Sequence, residues 1–225
     1  MLKDVQVTLY DIFGYLLPGF VALAALGALF WAVVAPHHPV TVPNWSGEIW
    51  LALIVSAYLA GHLLQAAANV VWQLLRRSET PRICEVLKTL PADLRKALET
   101  VCGSSDPDVI YAVSDAAVLQ KGNASEREIF TYREGFYRGM VAAFSVAIIA
   151  VIVRWARGGA VYVEGGKTHS VPASAFAFLL GLFCLAAVLS FGRNTRFARF
   201  RVAAAIWGFV GMLIVANLDS DEDSA

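Results

Sequence analysis

Four polar residues share one line of an otherwise apolar segment: Tyr58, His62, Gln65 and Asn69, at i, i+4, i+7 and i+11. On a helix this spacing puts all four side chains on one face, with Gln73 close to the same line. Hydrocarbon would penalise such a stripe, so it should face a bundle interior, a water-filled cavity or a neighbouring subunit. Two kinds of chemistry follow. The stripe can line a pore, a ligand cavity or a proton route centred on His62, histidine being the side chain that changes charge near neutral pH. Or it can be hydrogen-bonding glue between helices, which membrane bundles use at modest gain.

Asp11 and Arg138 are the next candidates. Asp11 stands at the start of the first apolar block, either as an intramembrane carboxylate or as an exposed residue near a helix start. Arg138, between Tyr137 and Gly139, can snorkel to headgroups, pair locally with Glu134 at i−4, or pair with Asp11 across helices. His37-His38 has no third ligand at metal spacing. Cys84, Cys102 and Cys184 form no CxxC pair, and the chain contains no Walker A loop, GxGxxG, GxSxG or HExxH motif. No catalytic residue, metal site or cofactor is therefore expected.

The elements that must hold the stripe are apolar blocks. Hydrophobic residues make up 58% of the 225 and charged residues 16%, and mean hydropathy is +0.60. The blocks run over about 10–34, 49–75, 136–155, 172–191 and, more weakly, 202–218. The last has 17 residues, at the lower edge of bilayer-spanning length. Pro18-Gly19 interrupts the first block. Either the helix kinks there, or 9–17 lies at the interface and the span starts with Pro18 at its first position, the second reading being preferred.

Basic residues set the direction. Residues 76–138 carry ten Lys/Arg, the loop before the fifth block carries Arg193, Arg196, Arg199 and Arg201, and the first loop carries none. Arg154, Arg157 and Lys167 dissent mildly. The balance places the N-terminus and the 76–135 segment inside. Within that segment, Thr80-Pro81, Pro91, Asp106-Pro107 and Ser125-x-x-Glu128 read as helix starts. They give helices at about 81–90, 91–102 and 107–120, then a long one from 125 into the third span. Ile83, Val86, Leu87, Leu90, Leu94, Leu98 and Val101 follow helical spacing. Gly165-Gly166 between β-formers predicts an external hairpin over 160–171, and 219–225 is an acidic tail. Small-residue faces (Ala177, Gly181, Cys184; Ala204, Gly208, Gly211) suit close packing or oligomerisation. Lys+Arg and Asp+Glu are 18 each, so no direct nucleic-acid binding is expected.

Asp11-Ile-Phe-Gly-Tyr-Leu-Leu-Pro-Gly19, Tyr58-Leu-Ala-Gly-His62 and Phe136-Tyr-Arg-Gly139 resemble segments of a group of small bacterial multi-span membrane proteins, some associated with anti-phage defence loci. The resemblance covers about the first 140 residues and implies a bacterial inner-membrane effector that disturbs the envelope when triggered. The last apolar block departs from it.

The expected fold is all-α integral membrane, with four spans, a short fifth and a small helical cytoplasmic insert. The leading functional expectation is a non-enzymatic effector or pore-forming subunit, embedded in the lipid bilayer, gated through the insert, and either homo-oligomeric or bound to a protein partner there. The alternatives are a scaffold or accessory subunit and, third, an enzyme acting on a lipid-linked substrate.

Overall fold

The structure, a computed structural model, describes residues 2–34, 46–75, 79–120, 125–158, 161–164 and 167–222. Among these are seven helices: α1 (Leu2–Val34), α2 (Gly47–Leu75), α3 (Thr80–Thr89), α4 (Ala92–Cys102), α5 (Pro107–Gln120), α6 (Ser125–Ala156) and α7 (Ala173–Glu222). One hairpin, β1 (Val161–Glu164) and β2 (Lys167–Ser170), pairs antiparallel with Val161 opposite Ser170 and Glu164 opposite Lys167. The protein is all-α, with four helices long and apolar enough to cross a bilayer: Ile12–Val34, Gly47–Leu74, Arg127–Ala156 and Ala173–Val215.

Two expectations about these helices change. Pro18 does not start a helix but lies inside α1, fully buried. A proline there forfeits one backbone hydrogen bond, which membrane helices tolerate when neighbours satisfy the freed group. The fifth span is not a separate element either, because α7 runs through 192–201 without a break. Its 50 residues are more than twice the ~20 that cross a bilayer.

The chain divides into two compact units, one of Met1–Trp72 and Gly135–Asn194, the other of Gln73–Glu134 and Thr195–Ala225. The second therefore combines most of the expected insert with the end of α7.

Their interiors are built on opposite rules. In the first unit the buried apolar residues are mainly alanines: Ala22, Ala25, Ala32, Ala57, Ala68, Ala143, Ala147 and Ala150. Its large side chains point outward, with Leu63 at 73%, Phe178 at 69% and Val188 at 67% exposure. Small inside and large outside is the packing of a membrane bundle, where lipid is as apolar as leucine and close backbone approach supplies the attraction.

The second unit has a conventional core. Ile83, Leu98, Ile110 and Val118 from α3–α5 bury together with Val202, Ile206, Phe209 and Val210 of α7. The segment expected as a fifth span thus supplies one wall of a helical core. Of the apolar positions expected to pack in the insert, Val101 is the exception, at 55% exposure.

Local signals explain the short helices. α5 starts where Asp106 Oδ1 accepts the Asp108 backbone N–H at 2.9 Å, the usual N-cap geometry. α4 ends at Gly103, whose φ of +63° is left-handed. Its N–H and that of Ser104 donate to the Thr100 and Glu99 carbonyls, satisfying the helix end. α3 differs from expectation: Glu79 occupies the cap position, but its carboxylate does not cap the helix N–H groups, and the Thr80 hydroxyl donates to Asp108 Oδ2 at 2.8 Å.

Candidate functional site

The stripe on α2 lies within the first unit, and each of its four residues meets a side chain or backbone of the same unit. Tyr15 of α1 stacks on the His62 imidazole, ring centroids 3.6 Å apart and planes 18° from parallel. Tyr58 meets both edge-on, 4.6 Å from His62 and 6.0 Å from Tyr15. The Gln65 side chain lies against Gly135 of α6, where a Cβ would collide with its amide nitrogen. Asn69 Oδ1 accepts a hydrogen bond from the Arg138 guanidinium. That guanidinium also sits over the Trp72 ring, 5.8 Å from its centroid, a cation–π geometry. Trp72 in turn packs on Phe191 of α7 at 5.5 Å.

Glycines make this closeness possible. A Cβ at Gly19 would run into the Ala57 carbonyl oxygen, and one at Gly61 into the Tyr15 carbonyl oxygen. α1 and α2 therefore touch backbone to backbone, with Gly19 and Gly61 on opposite sides of the contact. At Gly139 a Cβ would stand 3.3 Å from Pro18 Cγ. Residues of the segments 11–19, 58–62 and 136–139 thus meet in one place: Gly61 against Tyr15, His62 on Tyr15, and Gly139 against Pro18.

This arrangement brings α1, α2 and α6 into contact through polar and aromatic side chains. Gln73, the fifth residue near the line, is exposed. The side chain of Asp11 and residues 37–38 lie outside the described residues. No group of three His, Cys, Asp or Glu among the described residues is placed to hold a metal ion. Cys84, Cys102 and Cys184 are free thiols, and burial pushes the Cys102 thiol up from its ordinary value, the wrong direction for a nucleophile.

A second polar cluster lies in the second unit. Arg201 of α7 donates through Nε to Glu134 Oε2 at 2.9 Å, and through one terminal nitrogen to the Glu79 carboxylate at 2.9 and 3.0 Å. The other terminal nitrogen donates to the Tyr111 hydroxyl. Glu134 is 2% exposed and Arg201 and Glu79 are half-buried, so the Arg201–Glu134 pair is the buried heart of a multiply bonded ion cluster. Arg127 and Asp115 form a further pair, with a terminal nitrogen 2.6 Å from Oδ2. Arg199 and Glu85 pair at 3.0 Å on the surface.

The composition of the stripe was legible in the sequence, but its partners were not. Tyr15 sits on another helix, so the spacing of the stripe does not reveal it, although a phenol within an apolar block is as unusual there as Tyr58. Arg201 read as one of four orientation charges. The small-residue faces divide: Gly208 packs on Val118, with 3.1 Å between a hypothetical Cβ and Cγ2, whereas Gly181 and Gly211 have open space around them. No family model, curated protein or solved structure matches this chain.

Proposed function

We propose that the protein is a non-enzymatic scaffold or accessory subunit of a membrane. In this reading its polar stripe locks its own spans together and its second unit docks a protein partner. The observation that carries the reading is the engagement of the stripe: its four residues are half-buried and each has a partner within its own unit. Tyr58 and His62 are in ring contact with Tyr15, Gln65 lies on Gly135, and Asn69 is bonded to Arg138. Side chains so engaged are unavailable to line a conduit. Docking through the second unit is supported by Val109 and Val113, one turn apart on α5 and 39% and 37% exposed. The ten basic residues in 76–138 support a cytoplasmic second unit and N-terminus.

The test is capture of a partner by tagged full-length protein in membranes. Val109→Lys with Val113→Lys should abolish the capture at unchanged abundance, while Asn69→Leu should retain it. Loss with Asn69→Leu alone would move the contact to the stripe and refute the docking assignment.

One observation favours a second reading, a triggered membrane effector of the kind the resemblance implies. Glu134, bonded to Arg201, and Arg138, bonded to Asn69, are four residues apart on α6. A trigger that drew Arg201 off its carboxylates would act on α6, whose Arg138 bonds Asn69 of the stripe. Under this reading Arg201→Ala should depolarise expressing cells; the scaffold reading expects no depolarisation.

A further inference from the structure

The first unit contains a cavity of about 380 Å³ between α1, α6 and α7. Its walls are mainly alanines from α1 and α6, with one valine from each, closed by Phe176, Leu179 and Phe183 of α7. One wall residue is charged. Arg154, in the last turn of α6, is 7% exposed, and both of its terminal guanidinium nitrogens are buried without a hydrogen-bond partner among the described residues.

That combination calls for an anion. Arginine does not shed its proton inside proteins, and an uncompensated buried charge is among the costliest features a fold can carry. Two terminal N–H groups in a planar fork suit the paired oxygens of a carboxylate or phosphate. The remaining wall is apolar, so the anion should carry an apolar tail. Geometry gives the tail its course: Ala150 and Ala147 follow Arg154 back along α6, and seven residues of helix cover roughly 10 Å. Ala24 and Ala28, one turn apart on α1, line the cavity yet remain exposed, which leaves an entrance on the lipid-facing side. The volume falls at the small end of ligand pockets, roughly 300–1,000 Å³.

We infer that the groove between α1, α6 and α7 binds a single-chain anionic amphiphile, its carboxylate or phosphate head on Arg154 and its chain along Ala150 and Ala147. The inference is independent of how the stripe functions. A fatty acid or the phosphate-bearing chain of a lipid would supply the same chemistry.

The experiment uses purified full-length protein in nonionic detergent, titrated with dodecanoate, dodecyl phosphate, dodecanol and inorganic phosphate, with binding and thermal unfolding read together. Dodecanoate or dodecyl phosphate should bind saturably and raise the unfolding temperature, as ligands of the native state do. Preference between them would point to a free fatty acid or to a phospholipid-type chain as the source. Dodecanol should bind at least about tenfold more weakly, the scale of a charge-assisted hydrogen bond, and inorganic phosphate should not register. Arg154→Gln should lose the same factor. Ala28→Phe, which fills the entrance and leaves Arg154 in place, should also lose binding, so the test survives if the arginine variant folds poorly. Equal binding of alcohol and acid, inorganic phosphate matching dodecyl phosphate, or Ala28→Phe binding like the wild type would each overturn the inference.

Discussion

The hydrogen bond between Arg138 and Asn69 shows how a polar residue earns a place among apolar helices. Arg138 brings a charge that must be accommodated near a span, and Asn69 supplies an acceptor where lipid offers none. In such surroundings individual pairs are worth modest amounts, because the unfolded reference state also finds partners. A double-mutant cycle on Asn69→Ala and Arg138→Ala should therefore give a coupling of about 1 kcal/mol in a reversible unfolding assay. The Arg201 cluster belongs to another regime. Glu134 is 2% exposed, and truncating one partner of a buried ion pair costs about 3–5 kcal/mol. Arg201→Ala should destabilise by that much. Arg201→Met combined with Glu134→Leu and Glu79→Leu should recover most of the loss, since apolar replacement of a whole buried cluster is often neutral. Tyr111, in the same cluster, makes a pH prediction. Burial holds its phenol above the ordinary value, with the Arg201 charge pulling the other way. A phenol that ionises later in the folded than in the unfolded chain leaves stability unchanged below about pH 10 and lowers it as pH rises through the folded value. Unfolding measured in alkaline buffers should show that slope in the wild type and lose it in Tyr111→Phe.

At the scale of elements, the decisive contact is the crossing of α1 and α2 through Gly19 and Gly61. A side chain at either position meets the opposing carbonyl, and the intruding atom is backbone, which cannot swing aside. Gly61→Val should cost about 1–3 kcal/mol or more, the usual range for overpacking, whereas Gly181→Val, which faces open space, should change stability by less than ~0.5 kcal/mol. Thermal unfolding of the two variants checks the pair. The helices themselves were largely legible from apolar block length, because a bilayer demands runs of a particular size. Asp106-Pro107 and Gly103 were legible because a cap and a left-handed residue each solve a local hydrogen-bonding problem. Pro18 misled, because its usual place at a helix start in water does not bind it inside a membrane bundle. The arginines of 193–201 misled differently. Arg193, Arg196 and Arg199 are three apart and fit a helix as readily as a loop, and the buried face of Val202, Ile206, Phe209 and Val210 has the same composition as a span.

The whole molecule obeys two packing rules in one chain: alanines inside the first unit, and leucine, isoleucine and valine inside the second. Hydropathy registers the total and cannot tell which way a helix turns its leucines, so the units were visible only in outline. For the same reason the partners of the stripe, and the cavity around Arg154, were hidden. Glycine and alanine read alike whether they face lipid or another helix, and a lone arginine at a span end reads as a headgroup anchor. The central claim is that the stripe is taken up by contacts within the bundle and lines no water path. Its most direct test is substituted-cysteine accessibility in intact membranes. With Cys84, Cys102 and Cys184 replaced by serine or alanine, Tyr58→Cys, His62→Cys, Gln65→Cys and Asn69→Cys are each exposed to a water-soluble, membrane-impermeant thiol reagent. The expected result is little or no labelling at all four, with full labelling after denaturation. Rapid labelling of the four in the native membrane would place water along the stripe and contradict the account.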